Sequence, residues 1–229
     1  MSASSPASDA PSPARGPGIK LALPLLLIVA ILAGVTLLLV GGGTKPVLPG
    51  NAATHTTARF DGFTLTPRLP APPLNTLRNY DGTSFDLAAD RGKAVFVTFL
   101  YAHCPDVCPL IASHLHSAYA AMSPTLRRRV AIVAVSVDPH GDTAGTVAAF
   151  VHEHELTGVA AYLIGSASQL VPVWKAWRVG SQRDTSHPDL VNHSAFVFGI
   201  SARGKLTTIY AANFKPGDIV HDAPALLAG

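Results

Sequence analysis

Two uninterrupted apolar runs, KAVFVTFLY (Lys93 to Tyr101) and VAIVAVSVD (Val130 to Asp138), constrain this chain more than any other feature. Neither alternates apolar with polar residues, as a strand with one solvated face would; continuous β-branched and aromatic runs mark strands covered on both faces. Between them Val107, Leu110, Ile111, Leu115, Ala118 and Met122 recur at helical spacing, and Ser123-Pro124 ends the pattern. A buried strand, a helix and a second buried strand form a β-α-β unit, the pattern of an α/β sheet covered by helices.

The flanking segments extend this plan. FDGFTL and SFDL predict short strands around the proline-rich TPRLPAPPL and the turn NYDGT. DTAGTVAAFVHEHEL opens with cap-type residues and predicts a helix; AYLIG predicts a short strand, and Ser166 opens a helix through QLVPVWKAW despite Pro172. HSAFVFGI, the turn SARG and KLTTIY predict a hairpin, followed by a helix from Gly217 to Ala228. Strands alternating with helices imply an α/β fold, a central sheet flanked by helices, with sites at the carboxyl ends of its strands.

Ahead of this domain, Leu21 to Val40 holds 20 residues without a charge. At about 1.5 Å per residue, that length spans roughly 30 Å, the thickness of a bilayer core. It exceeds the apolar stretch of a secretory signal, and GGGTKPVLPG follows it in place of a small-residue cleavage site. Residues 19–41 are therefore expected to form a single transmembrane helix, preceded by a disordered cytoplasmic tail, 1–18, rich in Ser, Pro and Ala. Residues 42–58 have the Gly, Pro and small polar composition of a tether, and 59–229 suffice for one globular domain. The positive charges flanking the span are nearly balanced, so orientation follows from translocation of the large C-terminal part to the extracytoplasmic side of the cell (inner) membrane.

The net charge of +3 does not point to nucleic acid. Arg15, Lys20 and Lys45 against Asp9 account for two of those charges before the domain begins, which leaves the domain close to neutral. Its one basic cluster, Arg127 to Arg129, directly precedes an apolar strand and suits a solvated strand entry.

Both cysteines of the chain lie in HCPDVCP, just past the first buried strand. If a helix begins near Pro105, Cys104 and Cys108 stand four apart on one face, with alpha-carbons about 6 Å apart, inside the disulfide range. Their sulfurs can therefore share one ion or form one bond. A helix N-terminus favours the thiolate, the form that binds metal or attacks disulfides. Thiolates suit Cu(I), zinc or iron-sulfur chemistry; two sulfurs are too few for a cluster and leave room for a third ligand. A purely structural disulfide would close too short a loop to restrict the unfolded chain much.

HCPDVCP, the later VSVDPHGDT and the still later NHSAFVFGI, in that order behind a single apolar span, resemble the Sco/SenC family. The resemblance covers Phe60 to Leu227. It implies a thioredoxin-like fold tethered to the membrane and a role in inserting copper into the CuA centre of cytochrome c oxidase, on subunit II. It also implies that Cys104, Cys108 and His193 bind copper as Cu(I), with Cu(II) as a second state, and that Asp138 lies near that site and modulates it. A thiol reductant or another copper chaperone would be a further partner.

Ten histidines are present, and spacing separates them. His114 and His116 point in different directions on one helix, as do His152 and His154, and suit surface or core positions. His103 adjoins Cys104, but chain neighbours rarely share one ion. His193 is expected to start a strand at the sheet edge. Asp138 in DPHGD has turn chemistry as well as a functional reading. Two functions compete on this site: a Cu(I) chaperone that passes its ion by ligand exchange, and a membrane-anchored thiol-disulfide oxidoreductase that reduces the CuA cysteines or other exported thiols through Cys104 and Cys108.

Overall fold

The computed structural model describes residues 60–187 and 190–229. The tail, the apolar span and the tether, residues 1–58, lie outside the described residues, and among those described no helix is long and apolar enough to cross a membrane. The two apolar runs form β3 (Ala94–Leu100) and β4 (Val130–Ser136), which pair in parallel with Ala94 opposite Val130 and Leu100 opposite Ser136. All seven residues of β3 are buried. Beyond β4 lies β5 (Ala160–Ile164), also parallel, and beyond that the short antiparallel β2 (Arg78–Asn79). On the other side of β3 come the antiparallel β8 (Phe196–Ile200), β9 (Leu206–Ala211) and β1 (Phe63–Thr64), giving the order β1-β9-β8-β3-β4-β5-β2.

The helices are α1 (Val107–Ala121), the single turn α2 (Pro124–Arg127), α3 (Ala144–Glu153), α4 (Ala167–Trp177) and α5 (Pro216–Ala228). Strand alternation sorts them between two faces. Phe96 meets Tyr210, Tyr210 meets Phe214, and Phe214 meets His114 of α1, so α1 and α5 cover the face on which Phe96 lies. Tyr162, in register with Ala134 and Thr98, faces the same way and takes Phe150 of α3. Phe99 and Phe198 point to the opposite face, where Trp177 of α4 packs against both at 5.7 and 5.4 Å. Burial of Leu170, Val173, Trp174 and Trp177 holds α4 there despite Pro172. This mixed sheet with helices on both faces is a thioredoxin-like α/β fold.

Buried Asp222 of α5 ties the beginning of the domain to its end. It accepts the backbone N–H groups of Asp61 and Gly62, both at 3.0 Å, the Tyr210 hydroxyl at 2.7 Å and Nδ1 of His221 at 2.8 Å.

Three expectations are corrected. SFDL is not a strand: only Ser84 bridges to Arg78, and Asp86 caps a 3-10 turn over Leu87–Asp90 by accepting the Ala88 amide. The strand stands at Arg78–Asn79 instead, because the Asn79 side chain accepts the Tyr162 amide and the Tyr80 amide donates to the Tyr162 carbonyl at the free edge of β5. The run HSAFVFGI is split in two. His193 ends β7 (Val191–His193), which pairs with β6 (Ser181–Arg183) in a separate antiparallel ribbon, and the sheet strand begins only at Phe196. Finally, Arg127 lies in α2; its Nε donates to the Met122 carbonyl and its guanidinium covers the Tyr119 ring, so part of the basic cluster caps α1.

Candidate metal centre

Cys104 stands at the carboxyl end of β3, in a tight turn whose amide donates to the Tyr101 carbonyl at 3.3 Å. The helix starts at Val107 rather than near Pro105, so Cys104 precedes it and only Cys108 lies on it. The sulfurs still meet. The turn folds Cys104 back over the first turn of α1, where its Sγ accepts the Cys108 amide at 3.4 Å. Both cysteines are buried free thiols.

The third arm is His193. Its Nε2 lies 3.5 Å from the Cys108 sulfur. Its Nδ1 faces the Ser194 carbonyl at 3.2 Å, which fixes the ring with Nε2 turned to the thiols. The donor atoms of Cys104, Cys108 and His193 all lie within 4.8 Å of one another. Two sulfurs and one imidazole nitrogen at that separation fit a soft ion, and the half-buried imidazole leaves one side accessible.

Electrostatics make the cysteines unequal. The Cys104 thiol is pushed down to about 4, first by the hydrogen bond from the Cys108 thiol, then by His193 and the amides of Asp106 and Cys108, which together outweigh burial. Burial pushes the Cys108 thiol up, and the charge on Cys104 adds to it. The metal-free pair is thus one thiolate at Cys104 and one thiol at Cys108. Burial likewise raises the Tyr101 phenol to about 12, with the Cys104 charge acting in the same direction, so it stays neutral.

Asp138 is buried but stands outside the converging donors. Its Oδ1 takes the His140 amide at 3.1 Å and pairs with the Arg183 guanidinium, so it joins the end of β4 to the ribbon that carries His193. His103 lines an open cavity beside it with His140, Gly141 and Arg183. The other weighed histidines have structural surroundings: His114 packs edge-on to Phe214, His116 meets Glu155, His154 meets Phe150 edge-on, and His152 is exposed.

Three supporting residues escape sequence reasoning. Asp142 accepts the Ala102 amide at 2.8 Å and the Tyr162 hydroxyl at 3.2 Å, holding the loop before Cys104. Arg183 fastens the ribbon to which it belongs onto Asp138, and Tyr101 grips the ribbon at Val191. The ribbon itself left one trace, the Asp184 to Pro188 cluster of turn-formers, where Asp184 accepts the Ser186 and His187 amides.

Known proteins resemble this chain in sequence and fold. The SCO1/SenC family model matches residues 74–228. A mitochondrial SCO2 homolog of Bos taurus is 30% identical over 128 residues, covering 53% of this chain and 46% of its own; this chain thus spans about half that relative's length. The solved apo Sco1 of Thermus thermophilus has a TM-score of 0.64 at 25% identity, covering 75% of this chain and 99% of its own. Arabidopsis thaliana ScoI, solved with copper bound, has a TM-score of 0.61 at 25% identity over 69% of this chain and 98% of its own. With the family match spanning most of the domain and the fold shared, this chain belongs to the SCO1/SenC family.

Proposed function

We propose that this protein is a copper chaperone that binds Cu(I) through Cys104, Cys108 and His193 and delivers it to the CuA centre on cytochrome c oxidase subunit II. The observation that carries this is the convergence of two sulfurs and one imidazole nitrogen within 4.8 Å at the carboxyl end of β3. That donor set matches a soft monovalent ion, and three ligands leave a side from which an acceptor's thiol can enter and displace them one at a time. Copper in the Arabidopsis relative supports the choice of metal, and family membership supports the oxidase. The helix at 19–41 would anchor the domain, 59–229, to the inner membrane on the extracytoplasmic side through the tether 42–58. Another copper chaperone would supply the ion and a thiol reductant would keep the cysteines reduced.

One observation favours a second reading, thiol-disulfide exchange. A low-pKa thiolate at Cys104 beside a buried thiol at Cys108 is an attacking sulfur with a resolving partner. Anaerobic Cu(I) loading of the reduced full chain, followed by metal analysis, tests the first reading. One copper per chain is expected, lost on Cys104→Ser or Cys108→Ser and weakened without unfolding in His193→Ala. Full copper occupancy in the double Cys→Ser protein would sink it. If His193→Ala restores oxidase activity fully at low copper in cells lacking the wild-type gene, while Cys104→Ser does not, the exchange reading takes its place.

A further inference from the structure

The trio is assembled from two separate parts. Both thiols hang from β3 and α1, whereas the imidazole rides on β7 of a ribbon that is not hydrogen-bonded into the main sheet. β6 of that ribbon is tied to the end of β4, through the Ser181 hydroxyl on the Val137 carbonyl at 3.0 Å and through Arg183 on Asp138. β7 is tied elsewhere. The Tyr101 hydroxyl accepts the Val191 amide at 3.3 Å, and the Tyr101 ring meets the His193 imidazole edge-on, centroids 5.6 Å apart at 84°. The backbone carbonyl of the same residue accepts the Cys104 amide.

On the reading of this trio as a metal centre, we infer that Tyr101 is the positioning residue that holds His193 in register with Cys104 and Cys108. It is buried, it belongs to the part that carries the thiols, and it grips the part that carries the imidazole. The phenol oxygen fixes the height of β7, and the ring edge fixes the plane of the imidazole. Without the hydroxyl the Val191 amide loses its partner, β7 shifts, and Nε2 leaves its 3.5 Å approach to Cys108.

A double-mutant cycle on the full chain tests this, with affinity read by competition against a colorimetric Cu(I) chelator under anaerobic conditions. Tyr101→Phe keeps the ring and should weaken Cu(I) binding about tenfold, the usual scale for a residue that orients a ligand. Tyr101→Leu, which also removes the ring, should weaken it further. In a His193→Ala background, Tyr101→Phe should change affinity less than about twofold, because the group it positions is gone. An equal loss in both backgrounds, or no loss in either, overturns the inference. A metal-free readout separates it from the copper reading: Tyr101→Phe should speed hydrogen exchange at the Val191 amide about tenfold and leave Val97 of β3 unchanged. If the wild type takes up no Cu(I), the copper reading fails and the exchange result alone decides for or against Tyr101.

Discussion

Cys104 and Cys108 share one proton unequally, and the inequality gives a measurable reactivity. Only the thiolate attacks an alkylating agent, and it exists above the thiol pKa, which for Cys104 is pushed down to about 4. Iodoacetamide at pH 5.5 should therefore label Cys104 of the reduced, metal-free protein and spare Cys108, whose thiol is raised by burial. The rate should rise through about pH 4 and then level off. Cys108→Ala removes the donor that contributes most to the shift, so the pH profile of Cys104 labelling should move up by about 1–2 pH units, the loss expected for one hydrogen bond to a charged group. Peptide mass mapping reads both; preferential labelling of Cys108 would reverse the assignment. Much of this was legible at residue level. Four-residue spacing and a helix start predict two sulfurs that meet and a lowered thiol. The assignment of the proton was not legible, because Cys104 sits before the helix in a turn and accepts, while Cys108 sits within the core and donates.

At the scale of elements, the parts that build the site differ in how they are held. β3 and β4 are central strands paired along seven residues, whereas β6 and β7 form a three-residue ribbon, too short to be stable alone. Its position is lent by contacts at its rim. This explains why HSAFVFGI, read as one strand, is broken after His193: pairing of Ser181 with His193 bends β7 away, and the Ser194 amide turns back onto the Gly180 carbonyl at 3.1 Å. Period-2 patterning cannot report such a break, because both halves are extended and only their partners differ. The C-terminal helix α5 was legible as a helix from Gly217 to Ala228, but its clasp was not. Asp222→Ala would strip partners from the Asp61 and Gly62 amides and from the Tyr210 hydroxyl. A loss of about 2–4 kcal/mol in chemical denaturation is expected, since these groups are left wholly or partly buried without a hydrogen bond. A change below about 0.5 kcal/mol would show that water satisfies them and that α5 docks by apolar packing alone.

For the whole molecule, stability should carry a mark of Asp142, which links the loop before Cys104 to Tyr162 of β5. Burial raises its carboxyl from 3.8 to about 6, so the folded state binds the proton more tightly than the unfolded chain. Its contribution is thus fully present below about pH 3.8 and is lost as pH rises through about 6. Comparing the wild type with Asp142→Asn isolates this term: between pH 4 and 6.5 the wild type should lose about 2–3 kcal/mol relative to the variant. Parallel stability curves for the two proteins would show that the Asp142 carboxyl titrates alike in the folded and unfolded chains. By itself, the sequence determined the layered α/β plan, since two uninterrupted apolar strands can be buried only in a sheet with helices on both sides. It also determined which sulfurs meet, since their separation is local and a short turn suffices to close it. Only the tertiary structure decided how an imidazole joins them. His193 lies 85 residues along the chain from Cys108, and its place depends on a ribbon docked by Tyr101, Asp138 and Val137, contacts that span 44 to 90 residues. Contacts so distant leave no periodicity in the sequence, because burial and hydrogen-bond geometry select them only after the sheet has formed.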